Sequence, residues 1–113
     1  MIKIASKVVF VDEKIKEAFE RLKDSNKTED KELYVWLTHA FSAIEDNAFC
    51  GIQIPKKLIP KIYLQKYDIR NLWKYNLPKG WRLLYSIKGS DVVVLSIIIE
   101  WLSHPDYEKR FKY

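Results

Sequence analysis

The hydrophobic pattern at the start of the chain predicts a strand followed by a helix. Residues 4–11 are rich in β-branched side chains, which favour a strand. Asp12 follows and is a suitable N-cap, because its carboxylate can accept a hydrogen bond from a free helix amide. From there to residue 24 the apolar side chains repeat at helical spacing, at Ile15, Ala18, Phe19 and Leu22.

A second helix is predicted after the polar turn at residues 25–27. Thr28 is expected to cap it, and Gly51 is expected to end it. The side chains expected to be buried share one helix face: Leu33, Leu37, Ala40 and Ile44. Because the turn between the two helices is short, we expect them to pack antiparallel.

The second half of the chain predicts three strands and a short helix. Residues 52–66 carry two prolines and no consistent period, so we expect an ordered but irregular crossover. Strands are then predicted at 68–77, 81–87 and 91–102, with glycine-containing turns between them. The last strand is apolar on both faces, as expected of a central strand covered on both sides. Residues 104–113 close the chain, with a proline that can start a short helix.

Together these elements predict a single α+β domain over residues 1–113. The order is β-α-α-β-β-β with a short C-terminal helix, and the two antiparallel helices are expected to pack on a twisted, mostly antiparallel sheet. The composition agrees, since 48% of the residues are hydrophobic and 14% aromatic, which excludes collagen-like and intrinsically disordered classes.

Several classes of function are excluded by what the sequence lacks. The longest apolar run, residues 92–102, is too short to span a membrane, and the N-terminus lacks the apolar segment of a secretory signal. We therefore expect a cytoplasmic protein without membrane contact. The single cysteine, Cys50, excludes a disulfide framework and is expected to be a small buried hydrophobe. With no glycine-rich phosphate loop and no cysteine or histidine pair at metal spacing, no cofactor and no metal are expected.

Positive charge is concentrated in the second half of the chain. The formal charge is +5, but residues 1–54 carry −2 and residues 55–113 carry +7. Residues 56–82 contain eight basic residues and one acidic residue, with five Tyr or Trp residues among them. Cations neutralise phosphates and aromatic faces stack on unpaired bases, so this segment favours RNA binding. The alternative is a solvated basic face with aromatic side chains in the core.

Three residues of the second half could carry chemistry. Arg82 lies within a predicted strand, where its planar donor group could bind a phosphate; the alternatives are a charge that protects a sheet edge or a salt bridge to Glu100. His104 directly follows the last strand and could transfer protons near neutral pH. Tyr107 is expected on the same face of the terminal helix, and the alternative for this pair is a helix cap with an interfacial tyrosine. The other histidine, His39, is expected to be solvated.

Two stretches of the sequence resemble the RelE/ParE toxin superfamily. One runs from Asn71 to Ile87 and contains Leu-Pro-Lys-Gly-Trp-Arg-Leu-Leu-Tyr; the other is the end of the apolar strand and the segment after it, Glu100 to Arg110. The resemblance implies a toxin of a type II toxin–antitoxin pair. Its RelE-like branch consists of ribosome-dependent endoribonucleases, which cut mRNA without a metal by attack of the ribose 2′-hydroxyl on the adjacent phosphate. The partners it implies are mRNA on the ribosome and a short acidic antitoxin.

The resemblance also implies roles for individual residues. Arg82 matches the superfamily arginine that stabilises charge on the scissile phosphate. Tyr107 matches a tyrosine that acts in proton transfer or stacks on a base, and His104 resembles the histidine that some branches use as general acid or base. Glu100 is a further candidate, as a base or as a group that orients His104. Four lysines of this chain lie in regions where the superfamily is basic. They are expected to contact RNA: Lys56, Lys57, Lys61 and Lys74.

Two departures from the superfamily pattern leave other functions open. No acidic residue matches the catalytic glutamate of part of the superfamily, since Asp68 is the only acid between Pro55 and Arg82. The C-terminal basic cluster is also thinner than in the ribosome-dependent members. A ParE-like toxin that inhibits DNA gyrase without cutting RNA, or an inactive RNA-binding relative, is compatible with both departures.

Overall fold

The computed structural model describes residues 2–90 and 92–112, which form an α+β fold. The strands are β1 (Lys7–Phe10), β2 (Ile52–Ile54), β3 (Leu72–Asn76), β4 (Arg82–Gly89) and β5 (Val94–Leu102). The helices are α1 (Glu13–Asp24), α2 (Thr28–Asp46), α3 (Lys61–Tyr67) and α4 (His104–Phe111). Short 3-10 turns lie at Ala48–Cys50, Lys56–Leu58 and Pro78–Gly80. No helix of this described part is long and apolar enough to cross a membrane.

The strands form one sheet in the order β1-β5-β4-β3-β2. β1 runs parallel to β5, and the other neighbours are antiparallel. β5 therefore lies inside the sheet, as its apolar sequence predicts. β4 places Arg82 opposite Leu102 of β5, and β3 places Lys74 opposite Leu84 of β4.

The sheet is covered on both faces. α1 and α2 pack on one face, around a core that includes Leu83, Tyr85 and Ile98. α3 and α4 contribute to the other core, around Leu84 and Ile99. The four side chains predicted to be buried on α2 all lie in the first core: Leu33, Leu37, Ala40 and Ile44. The alternation predicted for β4 is confirmed, because its successive side chains enter opposite cores.

The helix ends follow the prediction in one case and differ in two. The Asp12 carboxylate accepts a hydrogen bond from the Ile15 amide at 3.0 Å, so the predicted N-cap of α1 is confirmed. Thr28 is the first residue of α2 and does not cap it; the preceding turn is instead held by the Ser25 hydroxyl, which donates to Asp30 at 2.7 Å. α2 ends at Asp46, well before Gly51, because the Asn47 side chain accepts from the Phe49 amide and starts a 3-10 turn.

The prediction of an irregular crossover over residues 52–66 is wrong, because this segment contains β2 and α3. Both elements are too short to show a period in the sequence. Pro55 and Pro60 precede the 3-10 turn and α3, where a missing amide costs no helical hydrogen bond. The strand predicted from residue 68 begins only at Leu72, since Asp68 adopts a left-handed conformation at the end of α3. The predicted boundaries at residues 91 and 113 lie outside the described residues.

Gly51 is required by packing rather than by a helix end. The Tyr85 hydroxyl donates to the Ala48 carbonyl at 2.7 Å and accepts from the Gly51 amide at 3.1 Å. A Cβ at Gly51 would lie 2.6 Å from the Tyr85 hydroxyl and 2.7 Å from the Lys74 carbonyl. The backbone therefore approaches β3 and β4 more closely than any side chain allows.

We predict that Gly51→Ala destabilises the protein, because the added methyl group overlaps a buried hydroxyl and a strand carbonyl. Overpacking of this kind costs about 1–3 kcal/mol. Gly89→Ala is the matched control, since its Cβ would meet its nearest neighbour, Val94, at an ordinary 3.5 Å. Urea unfolding of both variants measures the difference, and equal stability of the two would contradict this account of Gly51.

Candidate functional site: two cations at a buried tyrosine

Two basic side chains from neighbouring strands meet at one tyrosine of α4. Lys74 of β3 and Arg82 of β4 project from the sheet face on which α4 packs. The Lys74 amine donates to the Tyr107 hydroxyl at 3.2 Å and lies 5.3 Å from the ring centroid. The Arg82 guanidinium carbon lies 5.5 Å from the same centroid. We name these three residues the Tyr107 cluster.

Tyr107 is held firmly in this position. Its side chain is buried, with 3% of the residue exposed, and its ring stacks on Phe111 at 4.5 Å. α4 begins directly after β5, with Ser103 as N-cap. Pro105 lies in its first turn, as predicted. The short connection fixes where Tyr107 meets the sheet.

The protein does not provide acceptors for all the hydrogen-bond donors of Arg82. Its Nη1 donates to the Trp81 carbonyl at 3.2 Å, but its buried Nε has no hydrogen-bond partner among the described residues. Within residues 2–90 and 92–112, no ion pair neutralises Arg82 or Lys74. A buried donor without an acceptor costs about 1–3 kcal/mol. The cluster is therefore suited to an anion that supplies acceptors to both cations.

His104 is the first residue of α4 and lies against the turn that precedes β4. It packs against Gly80, where φ is +80° and a Cβ would lie 2.7 Å from the His104 Cβ. The imidazole Nε2 contacts the Glu108 carboxylate one turn along the helix, and its side chain is 54% exposed. The structure thus places His104 next to the turn that leads into Arg82. The Glu108 carboxylate occupies its Nε2.

The four lysines predicted to contact RNA do not form one group. Lys74 belongs to the Tyr107 cluster, whereas the other three line a separate groove: Lys56, Lys57 and Lys61. The aromatic residues interleaved with them do not form an exposed stacking surface either. Tyr63 is buried on the inner side of α3. Trp73 and Trp81 pack toward the core under α1 and α2. RNA contact by the three separate lysines stays a prediction.

Glu100 is engaged by groups that the sequence analysis did not consider. Its Oε2 accepts from Arg110 at 2.7 Å and from the Tyr63 hydroxyl at 2.6 Å. The described residues show neither the salt bridge to Arg82, which was one alternative for that arginine, nor the contact with His104, which was one candidate role for Glu100. Their place is taken by a triad that joins α3, β5 and α4. Only the tertiary structure brings these residues together, since Tyr63 and Glu100 are 37 positions apart.

Burial and the hydrogen bond to Glu100 raise the pKa of the Tyr63 phenol far above its ordinary value. The neutral phenol can donate to the carboxylate, whereas a phenolate would repel it. The triad therefore requires a protonated Tyr63.

The remaining candidates are peripheral. His39 is exposed, as predicted. Cys50 is also exposed, so the prediction of a buried thiol is wrong; it lies on the 3-10 turn after α2, where the chain runs along the surface. Across the described residues, no three His, Cys, Asp or Glu side chains gather in a way that could hold a metal ion.

Comparisons with known proteins give no relative for this chain. No protein-family model matches it, and no curated protein and no solved structure matches it significantly. The interpretation of the Tyr107 cluster therefore depends on its own geometry and on the sequence motifs described above.

We predict that stability falls as the pH rises above about 10, and that Tyr63→Phe reduces this slope. An unfolded tyrosine loses its proton near pH 10, whereas folded Tyr63 keeps it, so the unfolded state binds fewer protons. Each such group lowers the free energy of unfolding by up to about 1.4 kcal/mol per pH unit. Tyr85, whose pKa burial also raises, contributes in the same direction. Urea unfolding between pH 9 and about 11 measures the slope; an identical slope in Tyr63→Phe would refute the assignment.

Proposed function

We propose that this protein is a RelE-like toxin that cleaves mRNA on the ribosome without a metal ion. The observation that supports the proposal is the Tyr107 cluster, in which Lys74 and Arg82 meet on one sheet face without an acidic partner among the described residues. The α+β architecture, with a helix directly after the last strand, is compatible with the superfamily suggested by the sequence motifs.

In this proposal, the scissile phosphate binds between Arg82 and Lys74. The outer nitrogens of Arg82 offer donors to the phosphoryl oxygens, and Lys74 adds a point charge. The 2′-hydroxyl gives its proton to surrounding water as its oxygen forms a bond to phosphorus, and negative charge grows on the phosphoryl oxygens. Donors that are already in place stabilise that charge without reorganisation. The bond from phosphorus to the 5′-oxygen then breaks, which leaves a 2′,3′-cyclic phosphate and a 5′-hydroxyl.

His104 is the group we assign to proton transfer. The Glu108 carboxylate contacts Nε2 and orients the imidazole, and an imidazole is a side chain that can donate a proton to the leaving 5′-oxygen. Tyr107 is buried and stacked on Phe111, so we assign it to positioning Lys74 and Arg82 rather than to stacking on a base.

The remaining parts of the proposal follow from the resemblance. The substrate is mRNA in the ribosomal decoding site, the partner that restrains the toxin is a short acidic antitoxin, and both act in the cytoplasm. The RNA contacts expected of Lys56, Lys57 and Lys61 are not part of this proposal, because these lysines lie in a separate groove.

A second candidate is an RNA-binding relative that does not cut. Within the described residues, the side-chain hydrogen bonds and cation–π contacts of Arg82 and Lys74 are to Trp81 and Tyr107. No carboxylate or imidazole is among them, so the cluster lacks a base in direct contact with its cations. This observation favours phosphate binding without transesterification.

We predict that Arg82→Ala abolishes growth arrest and slows mRNA cleavage by at least about 100-fold, because the phosphate loses its main donor. Arg21→Ala on the exposed surface of α1 is the matched control and should arrest growth like the unchanged protein. Induced expression, followed by mapping of RNA 3′ ends that carry cyclic phosphate, measures both effects. Identical cut transcripts from the Arg82→Ala protein would show that Arg82 is not part of the reaction.

The two candidates differ in their behaviour toward RNA and ribosomes. If the protein only binds, it should bind single-stranded RNA with a steep salt dependence and leave programmed ribosomes uncut. Lys74→Ala should then reduce the slope of log affinity against log salt by about 1. Filter binding over a range of salt concentrations, together with gels of ribosome-bound mRNA, distinguishes the candidates: cleaved mRNA rejects the binding-only candidate.

A further inference from the structure

A second basic surface lies between the 3-10 turn Lys56–Leu58 and α3. It is a groove of about 350 Å³ that shares no residue with the Tyr107 cluster. Aliphatic side chains form its floor, and cations form its rim. The floor consists of Ile59, Leu64 and Ile69, and the rim of Lys56, Lys57, Lys61 and Arg70. We name it the α3 groove.

The floor of the α3 groove is apolar surface that the fold leaves uncovered. Leu64 is 53% exposed, although it lies on a helix whose inner side buries Tyr63. Ile69 is buried at 7% exposure and closes the groove from below. An apolar side chain placed on this floor would remove its surface from water, which is favourable.

The rim concentrates positive charge without compensation. All four cations are exposed, and over the described ranges 2–90 and 92–112 none of them takes part in an ion pair or a side-chain hydrogen bond. The residues that line the groove include no acid. Four like charges around one depression repel each other, so a ligand with several negative groups would be favoured.

We propose that the α3 groove binds a short acidic peptide segment of a partner protein, with aliphatic anchor residues on the floor and carboxylates at the rim. RNA fits less well, because its bases need flat faces for stacking, whereas this floor is aliphatic and the lining offers one guanidinium, that of Arg70. An anionic membrane also fits less well, because Ile69 lies at the bottom of a depression that a bilayer surface does not enter. The inference does not rest on the proposed nuclease activity.

The test uses the full chain and a defined probe, an acetylated and amidated Leu-Glu-Leu-Glu-Leu-Glu peptide. Heteronuclear NMR titration should show saturable amide shifts concentrated in residues 56–70 and weaker binding as salt increases. The same peptide with Gln in place of Glu should bind at least about tenfold more weakly, because the rim loses its charge partners.

Variants of the chain test the two parts of the groove separately. Lys57→Glu with Lys61→Glu should weaken binding of the acidic peptide at least about tenfold, and Leu64→Ser should weaken it by removing the floor. Lys14→Glu with Lys16→Glu on the exposed side of α1 is the matched control and should leave binding unchanged.

Three outcomes would overturn the proposal. The first is the absence of saturable shifts in residues 56–70 at millimolar peptide. The second is binding that tolerates the Lys57→Glu, Lys61→Glu pair. The third is that a short oligouridine, or vesicles containing phosphatidylserine, shift the amide signals of residues 56–70 more strongly than the peptide does. This result would assign the groove to nucleic acid or to lipid.

Discussion

A charged side chain on an interior strand of a sheet that is covered on both faces must find a partner or reach the rim of the core. β4 and β5 are such strands, because α1 and α2 pack on one face and α3 and α4 on the other. Arg82 on β4 and Glu100 on β5 both project toward the α3 and α4 face. They meet the constraint in opposite ways, and this difference produces the candidate site.

Glu100 is compensated inside the protein. Arg110 and Tyr63 both donate to its Oε2, and these hydrogen bonds connect α3 and α4 to the middle of the sheet. Helices of seven and eight residues are not stable alone, so these tertiary contacts decide where they lie. The position of α4 in turn puts Tyr107 against Arg82, whose charge has no acidic partner in the described structure. This is why the proposed phosphate site centres on Arg82.

The sequence predicts the parts of this fold that repeat over several turns or pleats. α1 and α2 follow from their helical spacing, and the faces of β4 follow from strict alternation. The sequence does not predict features that depend on a single contact between residues far apart in the chain. The Gly51 amide donates to the hydroxyl of Tyr85, which is 34 positions away, and the Glu100 carboxylate accepts from the Tyr63 hydroxyl. At the site, the pairing of Arg82 with Tyr107 was expected from the motifs, whereas the separation of Lys74 from the other lysines depends on register and could not be.

The interleaving of basic and aromatic residues over 56–82 has a structural cause of its own. Along a strand, neighbouring side chains point to opposite faces, so Trp73 and Lys74 are adjacent in sequence but lie on different sides of the sheet. The same holds for Trp81 and Arg82. Each strand contributes its aromatic rings to the core under α1 and α2 and its cations to the opposite face. Over residues 72–82 the alternation therefore reflects a sheet with two different faces rather than a mixed stacking surface, and in the proposed function the cations alone bind the anion.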